Sequence, residues 1–113
     1  MKYKVISTDA DTGEEEWRER GFRSDVILVD ERETHFEVNY ITLKGIKEKF
    51  NHRRICFHDN NMVILHEVTK ENILLSVHEI HKWKYYKCWL PLTEEQITKY
   101  YPSRHQWTYI DVL

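Results

Sequence analysis

The sequence predicts an α+β fold of one domain over residues 1–113. A mainly antiparallel sheet of five to seven strands is expected to pack against a main helix near 70–83 and a short helix near 94–101. Three observations lead there. Alanine occurs once, at Ala10, while β-branched and aromatic residues recur throughout, a bias toward pleated structure. Several short runs alternate apolar and polar residues. The segments after Thr69 and Thr93 carry helix-start signals.

Taken in order, Tyr3 and Val5 alternate with Lys4 and Ile6, Asp9 to Gly13 supplies turn chemistry, and Glu14 to Phe22 is expected to return as an edge strand. Asp25 to Val29 reads as a buried strand, and Phe36, Val38, Tyr40 and Thr42 alternate along the next. Lys44 to Phe50 is short and contains Gly45, which predicts a loop or one helical turn. Ile55 to Phe57 and Met62 to Val68, joined through Asp59-Asn60-Asn61, predict a hairpin. Thr69 is the expected N-cap of the main helix, with Glu71 in its first turn and Ile73, Leu74, Val77 and Ile80 along its buried stripe. Lys84 would interrupt that stripe, so the helix ends before it. Thr93-Glu94-Glu95-Gln96 is a capping box, Pro102 stops the short helix, and Trp107 to Val112 closes the sheet. The expected core is Val5, Ile27, Val29, Phe36, Val38, Ile55, Phe57, Ile64, Ile73, Val77, Ile80, Ile97 and Ile110.

Composition removes several function classes. Hydrophobic residues make up 41% and charged residues 32%, which is globular rather than disordered. No run approaches the roughly 18 apolar residues of a membrane span, and no secretory apolar segment follows Met1-Lys2-Tyr3-Lys4. Cys56 and Cys88 fit no disulfide framework or C-x-x-C site, so free thiols in the cytoplasm are expected. Three glycines cannot build a phosphate cradle, and no nucleophile elbow or Walker loop occurs. The net charge of −2 hides a division: residues 1–37 carry six basic and eleven acidic side chains, and residues 38–113 eleven and eight. Such a field can steer a charged partner or pair one copy with another.

His78 and His81 stand three apart, so a helix places them on one face where both could reach a metal ion. His58 could join them if the hairpin loop has three residues; a two-residue loop turns it to the opposite face from His66. A hairpin turn of His58-Asp59-Asn60-Asn61, followed by Asn72-Ile73-Leu74-Leu75 and then His78 and His81, resembles the ββα-metal finger of the HNH-type nucleases. The resemblance covers roughly a quarter of the chain; it lacks the paired cysteines of many members, and its loop is shorter. It implies His58 as general base, Asn60 or Asn61 as its orienter, and a divalent ion on His78 and His81, with Asp59 near.

The most unusual segment is Lys82-Trp83-Lys84-Tyr85-Tyr86-Lys87-Cys88-Trp89. Cations beside planar rings suit single-stranded nucleic acid, and Trp and Tyr also anchor protein interfaces. An isoelectric point near 6.4 favours the protein partner. The expectation is therefore a small non-catalytic interaction protein, its Ile, Lys and Glu bias suiting an AT-rich bacterial or phage genome. It would need no cofactor or metal, and would bind a protein through Lys82, Trp83, Lys84, Tyr85, Tyr86 and Trp89. The alternatives are a single-stranded nucleic-acid module, or a metal-dependent nuclease using His58, His78 and His81. Self-association through the oppositely charged halves is a further expectation.

Overall fold

The computed structural model describes residues 1–7, 13–51, 61–100 and 105–112. Among these, the strands are β1 (Lys2–Ser7), β2 (Phe22–Val29), β3 (His35–Ile41), β4 (Met62–Ile64) and β5 (His105–Asp111). The α-helices are α1 (Glu14–Arg20), α2 (Leu43–Asn51), α3 (Lys70–Trp83) and α4 (Glu94–Tyr100), and Tyr85–Cys88 forms a 3-10 helix. The strands make one sheet in the order β4-β3-β2-β1-β5. Three of the four pairings are antiparallel, and β4 joins β3 in parallel, Tyr40 opposite Val63. The α+β class with a mainly antiparallel sheet is what the sequence predicts.

Alternation along the strands gives the sheet two apolar faces. On one, Tyr3, Val5, Val26, Leu28, Phe36, Val38 and Tyr40 meet Ile73, Val77 and Ile80 of α3. On the other, Ile6, Ile27 and Val29 pack with Leu92. Burying Ile73, Val77 and Ile80 is worth about 2 kcal/mol each. That outweighs the few tenths each β-branched residue costs in a helix.

The ends of α3 and α4 follow their sequence signals. Thr69 Oγ1 accepts the Asn72 N–H at 3.0 Å, and the Asn72 side chain donates to the Glu67 carbonyl at 2.9 Å. At the other end Lys84 adopts φ 56°, and its N–H closes on the carbonyls of Ile80 and His81. In α4 the capping box is reciprocal: Thr93 N–H to Gln96 Oε1 at 2.9 Å, and Gln96 N–H to Thr93 Oγ1 at 3.2 Å.

Four expectations need correction. Residues 14–20 form a helix, not a returning strand, with acidic residues in the first turn, Arg18 and Arg20 in the last, and Gly21 as a left-handed cap. Residues 43–51 are a full helix whose Gly45 lies against Gly21. The strand expected over 62–68 ends at Ile64; β4 pairs in parallel with β3, and the other arm of the expected hairpin lies outside the described residues. Ile64, expected in the core, is 58% exposed and Ile97 is half-buried, whereas Ile110 packs against the core as expected. The turn at 8–12, Ile55, Phe57 and His58-Asp59-Asn60 lie outside the described residues.

Candidate functional site

The aromatic-basic segment is divided by the way α3 ends. The left-handed turn at Lys84 redirects the chain into the 3-10 helix, where residues three apart lie above one another. Tyr86 and Trp89 therefore point together into the core, with ring centroids 6.5 and 6.2 Å from that of Phe36. Tyr85 and Cys88 form the opposite ridge and face outward. Trp89 is 9% exposed and Tyr86 half-buried, whereas Trp83 and Tyr85 stay 57% and 53% exposed. Lys82, Lys84 and Lys87 are all exposed.

Trp83 and Tyr85 border an apolar groove between β4 and α3. Its inner hollow, about 400 Å3, runs between Val63, Ile64 and Leu65 on one bank and Leu75, Ser76 and Glu79 on the other, with Tyr85 at the end. A second hollow of about 570 Å3 shares Val63, Ile64 and Tyr85, and continues past Trp83, Lys84 and Cys88. Two further exposed apolar residues, Ile64 and Leu75 at 58% and 55%, stand on facing banks. The Trp83 indole is oriented by its Nε1–H, which donates to Glu79 Oε2 at 2.7 Å, and Lys82 Nζ lies 5.1 Å from its ring centroid. Beneath the groove the buried Tyr40 hydroxyl meets Ser76 Oγ at 2.9 Å, and Ser76 Oγ donates to the Ile73 carbonyl at 2.6 Å. This polar link fixes the α3 bank on the sheet.

The histidines separate. His81 turns inward: the Tyr3 hydroxyl lies 3.3 Å from its Nδ1, and the Tyr86 ring stacks on it at 6.5 Å. His78 is exposed. Among the described residues no three His, Cys, Asp or Glu side chains gather as a metal site would require. Asn61 is occupied structurally, its side-chain amide donating to the carbonyls of Glu37 at 2.9 Å and Leu90 at 3.3 Å. Among the described residues no helix is long and apolar enough to cross a membrane.

Burial at this end of the fold has a consequence at alkaline pH. Desolvation, followed by the charges of Tyr86, Asp30 and Glu31, pushes the Tyr3 phenol up to about 12. Burial also raises Tyr40, with the Ser76 hydrogen bond opposing it in part. Both phenols must stay neutral in the fold, while an unfolded tyrosine ionises near about 10. Stability from this source is complete below pH 10 and is lost as pH rises through 10 toward 12. The urea midpoint should hold from pH 8 to 9.5 and fall by pH 11, less steeply in Tyr40→Phe. A wild-type midpoint unchanged at pH 11 would refute this.

Compared with known proteins, the chain matches no family model, no curated sequence and no solved structure.

Sequence reasoning placed Ile64 in the core, because an apolar residue in a short strand carries no mark of which face it takes; Leu75 falls off the buried stripe of α3, but nothing in the sequence set it opposite Ile64. Only the aromatic-basic composition signalled the site.

Proposed function

We propose that this chain is a non-catalytic interaction protein that receives apolar side chains of a protein partner in the groove between β4 and α3. The supporting observation is the convergence of four large exposed side chains, Ile64, Leu75, Trp83 and Tyr85, on one concave surface. Scattered exposed apolar residues need no explanation, but a contiguous patch with aromatic walls has the composition of an interface centre. Lys82, Lys84 and Glu79 form a charged rim that would set orientation more than affinity. The tie between Trp83 and Glu79 favours protein over nucleic acid, because a carboxylate beside the ring repels phosphate.

A photo-crosslinking residue at position 85 should give protein adducts in living cells. The same residue at Tyr109, which is exposed on the strand at the opposite edge of the sheet, should not. Leu75→Asp should abolish the position-85 adducts without unfolding the chain, because exposed substitutions rarely change stability by more than about 0.5 kcal/mol. Equal labelling from both positions, or adducts indifferent to Leu75→Asp, would remove the groove from the claim. Adducts that disappear on nuclease digestion would transfer it to nucleic acid.

A further inference from the structure

We propose that the occupant of the groove is a second copy of this chain, docked about a two-fold axis with the two α3 helices antiparallel. The proposal rests on the reading of the groove as a protein-docking surface and names its partner.

The observation behind it is how charge is laid out along α3. At the N-terminal end, α1 is fastened beside α3: Glu14 Oε1 accepts the Lys70 N–H at 2.8 Å, and Arg18 pairs with Glu67. This brings Glu14, Glu15, Glu16 and Glu19 next to Glu67 and Glu71 against only Arg18, Arg20 and Lys70, an acidic pole. At the C-terminal end stand Lys82, Lys84 and Lys87, all exposed, against Glu79, which holds the Trp83 indole. A helix of 14 residues separates the poles by about 20 Å, more than twice the screening length at physiological salt, so they do not cancel within one molecule. Between them Leu75 lies on α3 and Ile64 faces it from β4, while Trp83 and Tyr85 stand beside the lysines at the basic end.

A surface that runs from acidic through apolar to basic is complementary to itself when turned end over end. An antiparallel two-fold contact sets each acidic pole against the partner's basic pole and apolar centre against apolar centre. A parallel contact sets like charges together and is rejected. This is the isologous arrangement of most homodimers, in which one patch serves both subunits.

The test uses two charge-reversed chains. Lys82→Glu/Lys87→Glu has two acidic poles, and Glu15→Lys/Glu71→Lys has two basic ones. All four positions are exposed, so both variants should keep the wild-type circular dichroism at 25 °C. Sedimentation equilibrium of the wild type should give twice the 13.9 kDa chain mass at about 100 µM, a range that reveals even weak dimers. Each variant alone should dissociate at least tenfold more readily. An equimolar mixture should recover wild-type association as a heterodimer, because each pole again meets its opposite. A wild type that remains monomeric at about 100 µM overturns the proposal, as does a dimer that charge reversal leaves intact. A monomer whose position 85 still crosslinks to another protein would refute the second copy and leave the docking groove standing. A monomer with no adducts would refute both.

Discussion

Trp17→Ala is expected to lower the free energy of unfolding by about 3–5 kcal/mol, the usual range for deleting a buried aromatic side chain. Trp17 is the sole buried residue of α1 and is 1% exposed. Its ring stacks on Trp107 with centroids 5.8 Å apart and planes 21° from parallel, so it joins α1 to β5 across the sheet. The Arg23 guanidinium lies 4.3 Å from its centroid and 5.8 Å from that of Trp107, while Arg23 itself is 1% exposed and hydrogen-bonded to Ser7. Removing the indole thus opens a cavity and takes an aromatic face from a buried cation, and these two losses act in the same direction. Against a typical stability of about 5–15 kcal/mol, the variant should be marginal at 37 °C.

Trp17→Phe is the informative companion. It keeps a ring beside Arg23 and removes a buried indole N–H that finds no hydrogen-bond partner among the described residues. Its cost should be well under half that of alanine. Urea unfolding followed by far-UV circular dichroism measures both. An alanine variant within about 1 kcal/mol of wild type would show that the ring contributes no more than an average residue.

That α1 hangs on one side chain also explains why it was not legible in the sequence. Helical periodicity is a signal of repeated burial, and a helix of seven residues that buries only Trp17 has no repeat to detect. Its polar signature, acidic start, basic end and terminal glycine, was present but lies in a segment that alternates equally well as a strand. In α3 the position is reversed. A capping threonine, an acidic first turn and three buried apolar residues at helical spacing agree, and the helix forms over Lys70–Trp83 as expected. The groove is legible only in part. The rings of 83–89 are conspicuous, but their sorting into core and surface depends on the left-handed turn at Lys84, which no residue type there announces. Its far bank comes from β4, brought to β3 by parallel pairing that a reading of local hairpins does not foresee.

The remaining large effect reverses an ordinary rule. Alanine in place of a glycine inside a helix normally stabilises it by about 1 kcal/mol. Gly45→Ala in α2 is expected to destabilise the chain by about 3 kcal/mol net, the upper part of the range for an overpacked site. A Cβ built at Gly45 would stand 2.2 Å from the Gly21 carbonyl oxygen and 2.9 Å from Ile41 Cγ1. Neither neighbour can retreat cheaply. Gly21 holds the left-handed cap of α1 at φ 69°, its N–H bonded to the Trp17 carbonyl at 2.9 Å, while its own carbonyl accepts the Thr42 N–H at 2.9 Å. Thr42 in turn starts α2, its hydroxyl accepting the Gly45 N–H at 3.1 Å. One carbonyl therefore sits between the end of α1, the β2–β3 pair and the start of α2, and a methyl group there must displace all three. Gly13→Ala supplies the control, since nothing lies within 4 Å of its Cβ and its φ of −42° suits any residue. As the N-cap of α1 it should lower the urea midpoint only slightly, far less than Gly45→Ala does. A stabilised Gly45→Ala would mean that helix propensity outweighs the contact, and that α1 and α2 do not meet through these two glycines.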